Sequence, residues 1–188
     1  MSNARTSSNR GWAIWIGVLV VVAIGGIVAI AASRGDDDGD GGSGGGTGLA
    51  NAPVEVTGAE PLPRFEQTAG DPAIGMTIPS LEGTTVDGEP LTIEPGGTAR
   101  IIVFLAHWCG HCQNEVKSLS PHLEESPMPG DVELVAVSTG VDEGQGNYPP
   151  KRWLDSEGWE APTMADSEAG EAGTAYGLSS FPYFVVVD

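Results

Sequence analysis

Cysteine is scarce in this sequence, since its 188 residues contain only two, Cys109 and Cys112. A structural zinc site usually takes four ligands, often as two pairs of Cys or His, and no second pair follows this one. Haem attachment requires a histidine directly after the second cysteine, but that residue is Gln113. The sequence therefore predicts a protein without metal and without an organic cofactor.

Basic residues are also few, 8 Lys and Arg against 26 Asp and Glu, which gives a formal net charge of −18. From Gly35 onward five basic residues face all 26 acidic ones, so this part carries a charge of −21. Such a surface repels nucleic acid and anionic lipid. It could steer basic partners, although solubility explains it equally well. We therefore predict no nucleic-acid partner.

Only one long apolar run is present, residues 12–32, which are uncharged throughout. At a helical rise of about 1.5 Å per residue the run spans about 31 Å, the thickness of the hydrocarbon core of a bilayer. Arg5 and Arg10 precede it, and aspartates dominate the residues that follow. The positive-inside rule then places residues 1–11 in the cytoplasm and the remainder of the chain outside. We predict a single-pass membrane anchor that contacts the lipid bilayer through residues 12–32.

A cleaved signal peptide is the alternative interpretation of this run. Ala29-Ile30-Ala31 has the small-x-small pattern of a cleavage site, but the apolar core of a signal peptide is normally about 7–15 residues long. Both interpretations place the C-terminal domain outside the cytoplasm, where disulfides persist.

Beyond the apolar run, residues 33–69 are rich in Gly, Asp and Pro, a composition that predicts a disordered linker. From residue 70 onward the pattern alternates between strand and helix. Strands are predicted at 73–78, 91–93, 101–106, 132–137, 162–165 and 183–187, with helices after the cysteines, after Pro149-Pro150 and over 167–176. This alternation predicts an α/β domain over residues 70–188, with parallel strands and right-handed crossovers.

The most informative segment is Trp108-Cys109-Gly110-His111-Cys112, directly after the apolar run 101–106. A strand thus delivers the first cysteine to the start of a predicted helix, where the amide dipoles stabilise a thiolate. The pattern predicts a nucleophile at Cys109 and a more buried partner at Cys112 that releases the substrate. A structural disulfide in a binding or scaffold module is the alternative, and peroxide reduction at Cys109 is a third.

These residues resemble the thioredoxin superfamily and, more narrowly, the membrane-anchored thiol–disulfide oxidoreductases associated with cytochrome c maturation outside the cytoplasm. The resemblance covers about residues 70–188 and rests on an N-terminal hairpin, the run 104–112, Glu115 and Phe181-Pro182. It implies a thioredoxin-like fold, a central mixed sheet flanked by helices with a hairpin extension. It also implies an extracytoplasmic enzyme that acts on protein or peptide thiols and disulfides and exchanges electrons with a membrane or soluble redox partner.

The family usually continues past the strand after Pro182 with a further strand and a covering helix. Because this sequence stops at Asp188, we expect either a truncated product or fragment, or a sheet edge that is left uncovered.

The resemblance also implies roles for individual residues around the cysteines. Many thioredoxins carry a buried carboxylate at the position of Val103, so Glu115 becomes the candidate for proton transfer, with a solvated helix carboxylate as the alternative. His111 either favours the thiolate of Cys109 or is an exposed loop histidine. His107 either tunes the site or lies on a solvated rim.

Three further residues are predicted to bind substrate. Trp108 offers an aromatic surface beside the cysteines, with core packing as the alternative. Phe181 and Pro182 match the segment whose backbone pairs with a bound substrate chain. The resemblance implies a cis peptide bond before Pro182, and an ordinary trans proline at the start of an edge strand is the alternative.

Overall fold

The structure is a computed structural model that describes residues 48–188. Its first three strands are β1 (Glu55–Thr57), β2 (Ser80–Thr84) and β3 (Pro90–Ile93). The following elements alternate strand and helix in the order β4 (Ala99–Leu105), α1 (Gly110–Glu125), β5 (Val132–Ser138), α2 (Pro150–Ser156), β6 (Thr163–Ala165), α3 (Glu171–Ala175) and β7 (Tyr183–Val187).

The strands form two sheets. β1, β2 and β3 make an antiparallel sheet in that order, and the second sheet has the order β6-β5-β4-β7. In the second sheet β4, β5 and β6 are parallel, whereas β7 runs antiparallel to β4. The carboxyl ends of β4, β5 and β6 therefore meet at one edge, and the residues that follow these strands come together there. This mixed sheet with helical crossovers and an N-terminal hairpin is a thioredoxin-like α/β fold, as predicted.

Strand β4 is the centre of the core because its last residues are buried on both faces. Side chains alternate along a strand, so Val103 and Leu105 lie on one face and Ile102 and Phe104 on the other. The first face contributes to a cluster that contains both cysteines, Val116 of α1 and Trp153 of α2. The core on this side therefore fixes the helix that begins at the cysteine pair.

The predicted strand over residues 73–78 is wrong. The side chain of Asp71 accepts a hydrogen bond of 2.9 Å from the N–H of Ala73, the N–H of Ile74 bonds the Asp71 carbonyl, and Gly75 has φ +82°. These local bonds favour turns over an extended strand. The hairpin is formed by β2 and β3 instead. The strands predicted at 91–93, 101–106, 132–137 and 183–187 are confirmed within one or two residues of their ends.

The disordered linker predicted for residues 33–69 is also wrong over residues 48–69. This segment contains β1 and buries Ala52, Val54 and Leu62 against the domain. The N–H of Leu62 donates to the carbonyl of Ala175 at 2.8 Å. Three apolar side chains and backbone pairing are enough to hold a proline-rich segment in place. Residues 33–47 lie outside the described residues.

The anchor predicted for residues 12–32, with its flank 1–11, likewise lies outside the described residues. From residue 48 onward, none of the helices combines the length and the apolar character that crossing a bilayer requires.

β7 is an edge strand, because within residues 48–188 it pairs only with β4.

Candidate active site

Cys109 is the N-cap residue of α1. It follows the end of β4 through a tight turn, in which its N–H donates to the carbonyl of Ala106 at 3.0 Å. Its backbone is extended, with φ −77° and ψ 116°, and its sulfur accepts a hydrogen bond of 3.5 Å from the N–H of Cys112. The first turn of a helix has unpaired N–H groups and a partial positive charge. The local fold therefore places the Cys109 sulfur where a negative charge is stabilised.

Cys112 lies one helical turn further on and is fully buried, whereas Cys109 is 9% exposed. Burial raises the pKa of the Cys112 thiol to about 12, with a further contribution from the neighbouring Cys109. The N–H of Ala106, which donates to the Cys112 sulfur at 3.5 Å, opposes this shift only in part. Cys112 consequently keeps its proton at neutral pH, and of the two cysteines only Cys109 has any solvent exposure.

The loop before β7 meets the first cysteine. The Cys109 sulfur lies 3.8 Å from the carbonyl oxygen of Phe181, and the Phe181-Pro182 peptide bond is cis. The Phe181 ring packs edge-on against Trp108 with 5.7 Å between ring centroids. Trp108 is 40% exposed. The fold therefore brings Trp108, Cys109, Phe181 and Pro182 together at the surface above Cys112.

Gly140 completes this surface and was not predicted from the sequence. Its carbonyl accepts a hydrogen bond of 2.7 Å from the indole N–H of Trp108. Its φ of +61° is in the left-handed region, and a β-carbon at this position would lie 3.5 Å from the Phe181 ring. The left-handed φ therefore favours glycine here, whereas a β-carbon 3.5 Å from the ring would make only an ordinary contact.

His111 and Glu115 are less tightly integrated than the sequence analysis expected. His111 is exposed and Glu115 is half-buried on α1. Within residues 48–188, neither side chain makes a hydrogen bond or an ion pair, so no polar interaction joins them to the cysteines. Val103 is fully buried in the cluster that contains both cysteines. The position that carries a carboxylate in many thioredoxins is thus apolar here.

The solvated-rim alternative for His107 is wrong, because this side chain is fully buried. Its ring bonds the backbone of the segment after β5, at Asp142 and Gly146.

Asp166 is a buried polar residue that was not predicted from the sequence. It follows β6, is fully buried, and accepts a hydrogen bond of 2.6 Å from the hydroxyl of Thr139. Its carboxylate also accepts from three backbone N–H groups, those of Ser167 at 2.8 Å, Ala172 at 2.9 Å and Gly173 at 3.1 Å. Since Thr139 directly precedes Gly140, Asp166 supports the backbone beneath the Trp108 contact.

In the part of the chain that the structure describes, no three side chains of His, Cys, Asp or Glu gather into a group that could hold a metal ion.

We expect iodoacetamide to alkylate Cys109 and to spare Cys112 in the folded, reduced protein at mildly alkaline pH. Burial denies the reagent access to Cys112, and the pKa of about 12 keeps this thiol protonated until the pH rises far above neutrality. Mass spectrometry of proteolytic peptides measures the adduct on each cysteine. Both cysteines should react once the protein is denatured, and equal labelling of Cys112 in the folded protein would contradict the assignment.

Several solved structures are similar to this one. They include a secreted disulfide oxidoreductase of Mycobacterium tuberculosis homologous to E. coli DsbE, with 23% identity over 56% of this chain and 73% of that chain and a TM-score of 0.45. A thiol:disulfide interchange protein of Chlorobium tepidum has 23% identity, coverage of 60% and 78%, and a TM-score of 0.49. StoA of Bacillus subtilis has 21% identity, coverage of 58% and 79%, and a TM-score of 0.48. No curated protein sequence matches the chain significantly.

Family membership rests on a match of a different kind. The model of the AhpC/TSA family matches residues 69–188, which is more than half of the chain and includes every residue of the site described above. The matched region coincides with the mixed sheet, the cysteine helix and the loop before β7. The chain therefore belongs to the AhpC/TSA family, within the thioredoxin superfamily.

Proposed function

We propose that this protein is a thiol–disulfide oxidoreductase whose Cys109-Gly110-His111-Cys112 segment exchanges with disulfides of protein or peptide substrates. One observation carries the proposal. The Cys109 sulfur caps α1 and accepts the N–H of Cys112, while the Cys112 thiol is buried one turn behind it. Reversible disulfide exchange requires a nucleophile that the substrate can reach and a second thiol that later attacks the mixed disulfide.

The reaction proceeds in two exchanges. The Cys109 thiolate attacks one sulfur of a substrate disulfide, forms a mixed disulfide and releases the other substrate sulfur as a thiolate. Cys112 then loses its proton and attacks the Cys109 sulfur, which releases the second substrate thiolate and leaves a Cys109–Cys112 disulfide. Two electrons pass from the protein to the substrate, and the opposite sequence oxidises a substrate dithiol.

The surface around Cys109 suits an extended substrate segment. The backbone at Phe181 lies beside the Cys109 sulfur, so its polar groups are placed to pair with a substrate chain next to the attacked disulfide. The half-exposed Trp108 ring offers an apolar contact on the same surface. We assign substrate binding to Trp108, Phe181 and Pro182.

His111 and Glu115 have auxiliary roles in this proposal. His111 stands between the cysteines and, when protonated, favours the thiolate of Cys109. Glu115 is three residues after Cys112, which places both on neighbouring positions of one helix face. It is the carboxylate assigned to take the Cys112 proton in the second exchange.

The cellular setting is part of the proposal. We place the catalytic domain outside the cytoplasm, tethered to the cell membrane by residues 12–32, in the manner of the oxidoreductases of cytochrome c maturation. The charge distribution on either side of that run and the persistence of disulfides outside the cytoplasm support it. The electron partner is a membrane or soluble dithiol protein.

The direction of electron flow follows from the reduction potential of the cysteine pair, measured by equilibration with glutathione buffers. A potential near that of thioredoxin, about −270 mV, defines a reductase, whereas a potential near about −120 mV defines a strong oxidant.

We expect Cys112→Ser to accumulate a covalent mixed disulfide with its substrates. Cys109 can still attack in this variant, but the thiol that would release the substrate is missing. The adducts are detected on non-reducing gels as bands that disappear on reduction, and mass spectrometry identifies the captured chain.

The matched control is the double variant Cys109→Ser with Cys112→Ser, which should capture nothing. If Cys112→Ser also captures nothing while the folded protein still binds its partners, the scaffold alternative with a structural disulfide is correct. Turnover of hydrogen peroxide in place of a disulfide substrate would instead support the peroxidase alternative.

A further inference from the structure

We propose that His107 is a positioning residue that fastens residues 140–149, here called the 140–149 loop, against the active site and so shapes the docking surface for protein substrates. The inference rests on the proposed function for its kinetic consequences. Its structural basis is independent of that function, because it concerns how the loop is attached to the domain.

The hydrogen bonds of the His107 ring define its protonation state. Its Nδ1 lies 2.7 Å from the carbonyl oxygen of Gly146, and its Nε2 lies 3.2 Å from the backbone nitrogen of Asp142. A carbonyl only accepts and a backbone N–H only donates, so Nδ1 carries the hydrogen and Nε2 carries none. Only the neutral Nδ1–H tautomer makes both bonds, and the ring is fully buried between them.

The backbone of His107 binds the same loop. Its carbonyl oxygen accepts from the side-chain amide of Asn147 at 3.2 Å and from that of Gln113 on α1 at 3.0 Å. The ring also meets the Tyr148 ring edge-on, with 6.0 Å between centroids. One residue thus ties the loop to the segment that leads into Cys109.

Within residues 48–188, no residue other than His107 forms a long-range hydrogen bond with residues 141–147. Within residues 48–188, the remaining hydrogen bonds of residues 141–147 are local. The N–H groups of Gly144 and Gln145 donate to Asp142, and the hydroxyl of Tyr148 donates to the carboxylate of Glu143. Every hydrogen bond from residues 141–147 to a more distant part of the described chain ends on His107. The loop is otherwise exposed, so removal of the imidazole leaves it held mainly at its two ends.

The first end of the loop is the part that a substrate meets. Gly140 accepts the indole N–H of Trp108 and lies against the Phe181 ring. Neither His107 nor the loop contacts a cysteine sulfur through a hydrogen bond in the region that the structure describes. His107 therefore acts on the position of Trp108 and of the loop, and not on the exchange of sulfur bonds.

The test compares His107→Phe with His107→Asn in the full-length chain. Phenylalanine fills the buried space but removes both ring hydrogen bonds, whereas the asparagine amide can still donate to Gly146. His122→Phe is the matched control, because His122 is an exposed histidine on α1. Rates are measured with reduced enzyme on a protein disulfide, insulin, and on a small disulfide, dithiobis-nitrobenzoate.

For His107→Phe we expect the KM for insulin to rise by about tenfold, while kcat stays within about twofold of the unaltered protein. The rate with dithiobis-nitrobenzoate should not change. The KM of His107→Asn for insulin should lie between those of His107→Phe and the unaltered protein. His122→Phe should have the same KM as the unaltered protein. Hydrogen exchange of the amides of residues 141–147 should be accelerated in His107→Phe and less so in His107→Asn.

An unchanged KM for insulin in folded His107→Phe would overturn the proposal, as would an equal loss of rate on both disulfides in His107→Asn. Unchanged hydrogen exchange of the amides of residues 141–147 in His107→Phe would also overturn the proposal, and this result does not depend on an activity assay. A failure of the proposed function gives a different result, since the unaltered protein would then reduce neither substrate while loop exchange would still respond to His107.

Discussion

We expect Cys109→Ser to lower the rate of disulfide exchange by at least about 10³-fold, because it removes the only sulfur that forms the covalent intermediate. A serine hydroxyl is similar in size but remains protonated at neutral pH and cannot form a mixed disulfide. The buried Cys112 cannot take over, since its thiol is fully enclosed and its pKa is about 12. Insulin reduction, followed as turbidity or by labelling of released thiols, measures the loss.

The control for this variant is its thermal unfolding. The hydroxyl of serine is a common helix N-cap, so α1 should keep its first turn and the melting temperature should change little. A variant that remains folded and retains a tenth of the exchange rate would show that the chemistry does not pass through Cys109. Cys112→Ser offers the complementary comparison, because it blocks the second exchange and leaves the first intact.

The longer strands that the sequence predicted share one property, a continuous run of apolar residues. β4, β5 and β7 each contain such a run. The last residues of β4 and β5 are buried in the middle of the mixed sheet, whereas β7 is an edge strand that exposes Phe184 and Val186. β2 escaped prediction because it buries only Leu81 fully and contains Glu82 and Gly83. Its strand conformation comes from pairing with β1 and β3, and the local sequence pattern does not predict this pairing.

The cysteine pair and its aromatic neighbours were found for a similar reason. Trp108, Cys109 and Cys112 are adjacent in sequence, and Phe181-Pro182 carries a family resemblance of its own. The contacts of the polar side chains around them were not predicted, because these contacts join residues more than 25 positions apart. Thr139 and Asp166 are 27 residues apart, and His107 and Gly146 are 39 apart.

A signal for these residues was nevertheless present. His107, Gly140 and Asp166 each follow the carboxyl end of a parallel strand within two residues. Parallel strands bring their carboxyl ends to one edge of the sheet, where binding and catalytic residues collect. A polar residue or a glycine within three residues of the end of each predicted strand, combined with the predicted parallel order, would have included all three.

Asp166→Ala should strongly destabilise the fold, with a loss of about 3–5 kcal/mol in the free energy of unfolding. Alanine removes the acceptor of the Thr139 hydroxyl and of the N–H groups of Ala172 and Gly173, all of which are buried. Each donor left without a partner costs about 1–3 kcal/mol. Urea unfolding monitored by circular dichroism measures the change.

Asp166→Asn and Thr139→Val separate the contributions to this network. Asparagine retains one oxygen that accepts from the N–H groups of α3, although its amide NH₂ group replaces the other oxygen and faces a donor. Asp166→Asn should therefore lose less stability than Asp166→Ala. Thr139→Val removes the hydroxyl that donates to Asp166 and keeps the volume, which isolates the bond beneath Gly140. The free energy of unfolding of Asp166→Ala could instead lie within about 1 kcal/mol of that of the unaltered protein. In that case the N–H groups of α3 find other partners, and the carboxylate does not hold this side of the site. If Thr139→Val alone weakens insulin reduction while α3 keeps its stability, the network reaches the active site through Gly140 and Trp108.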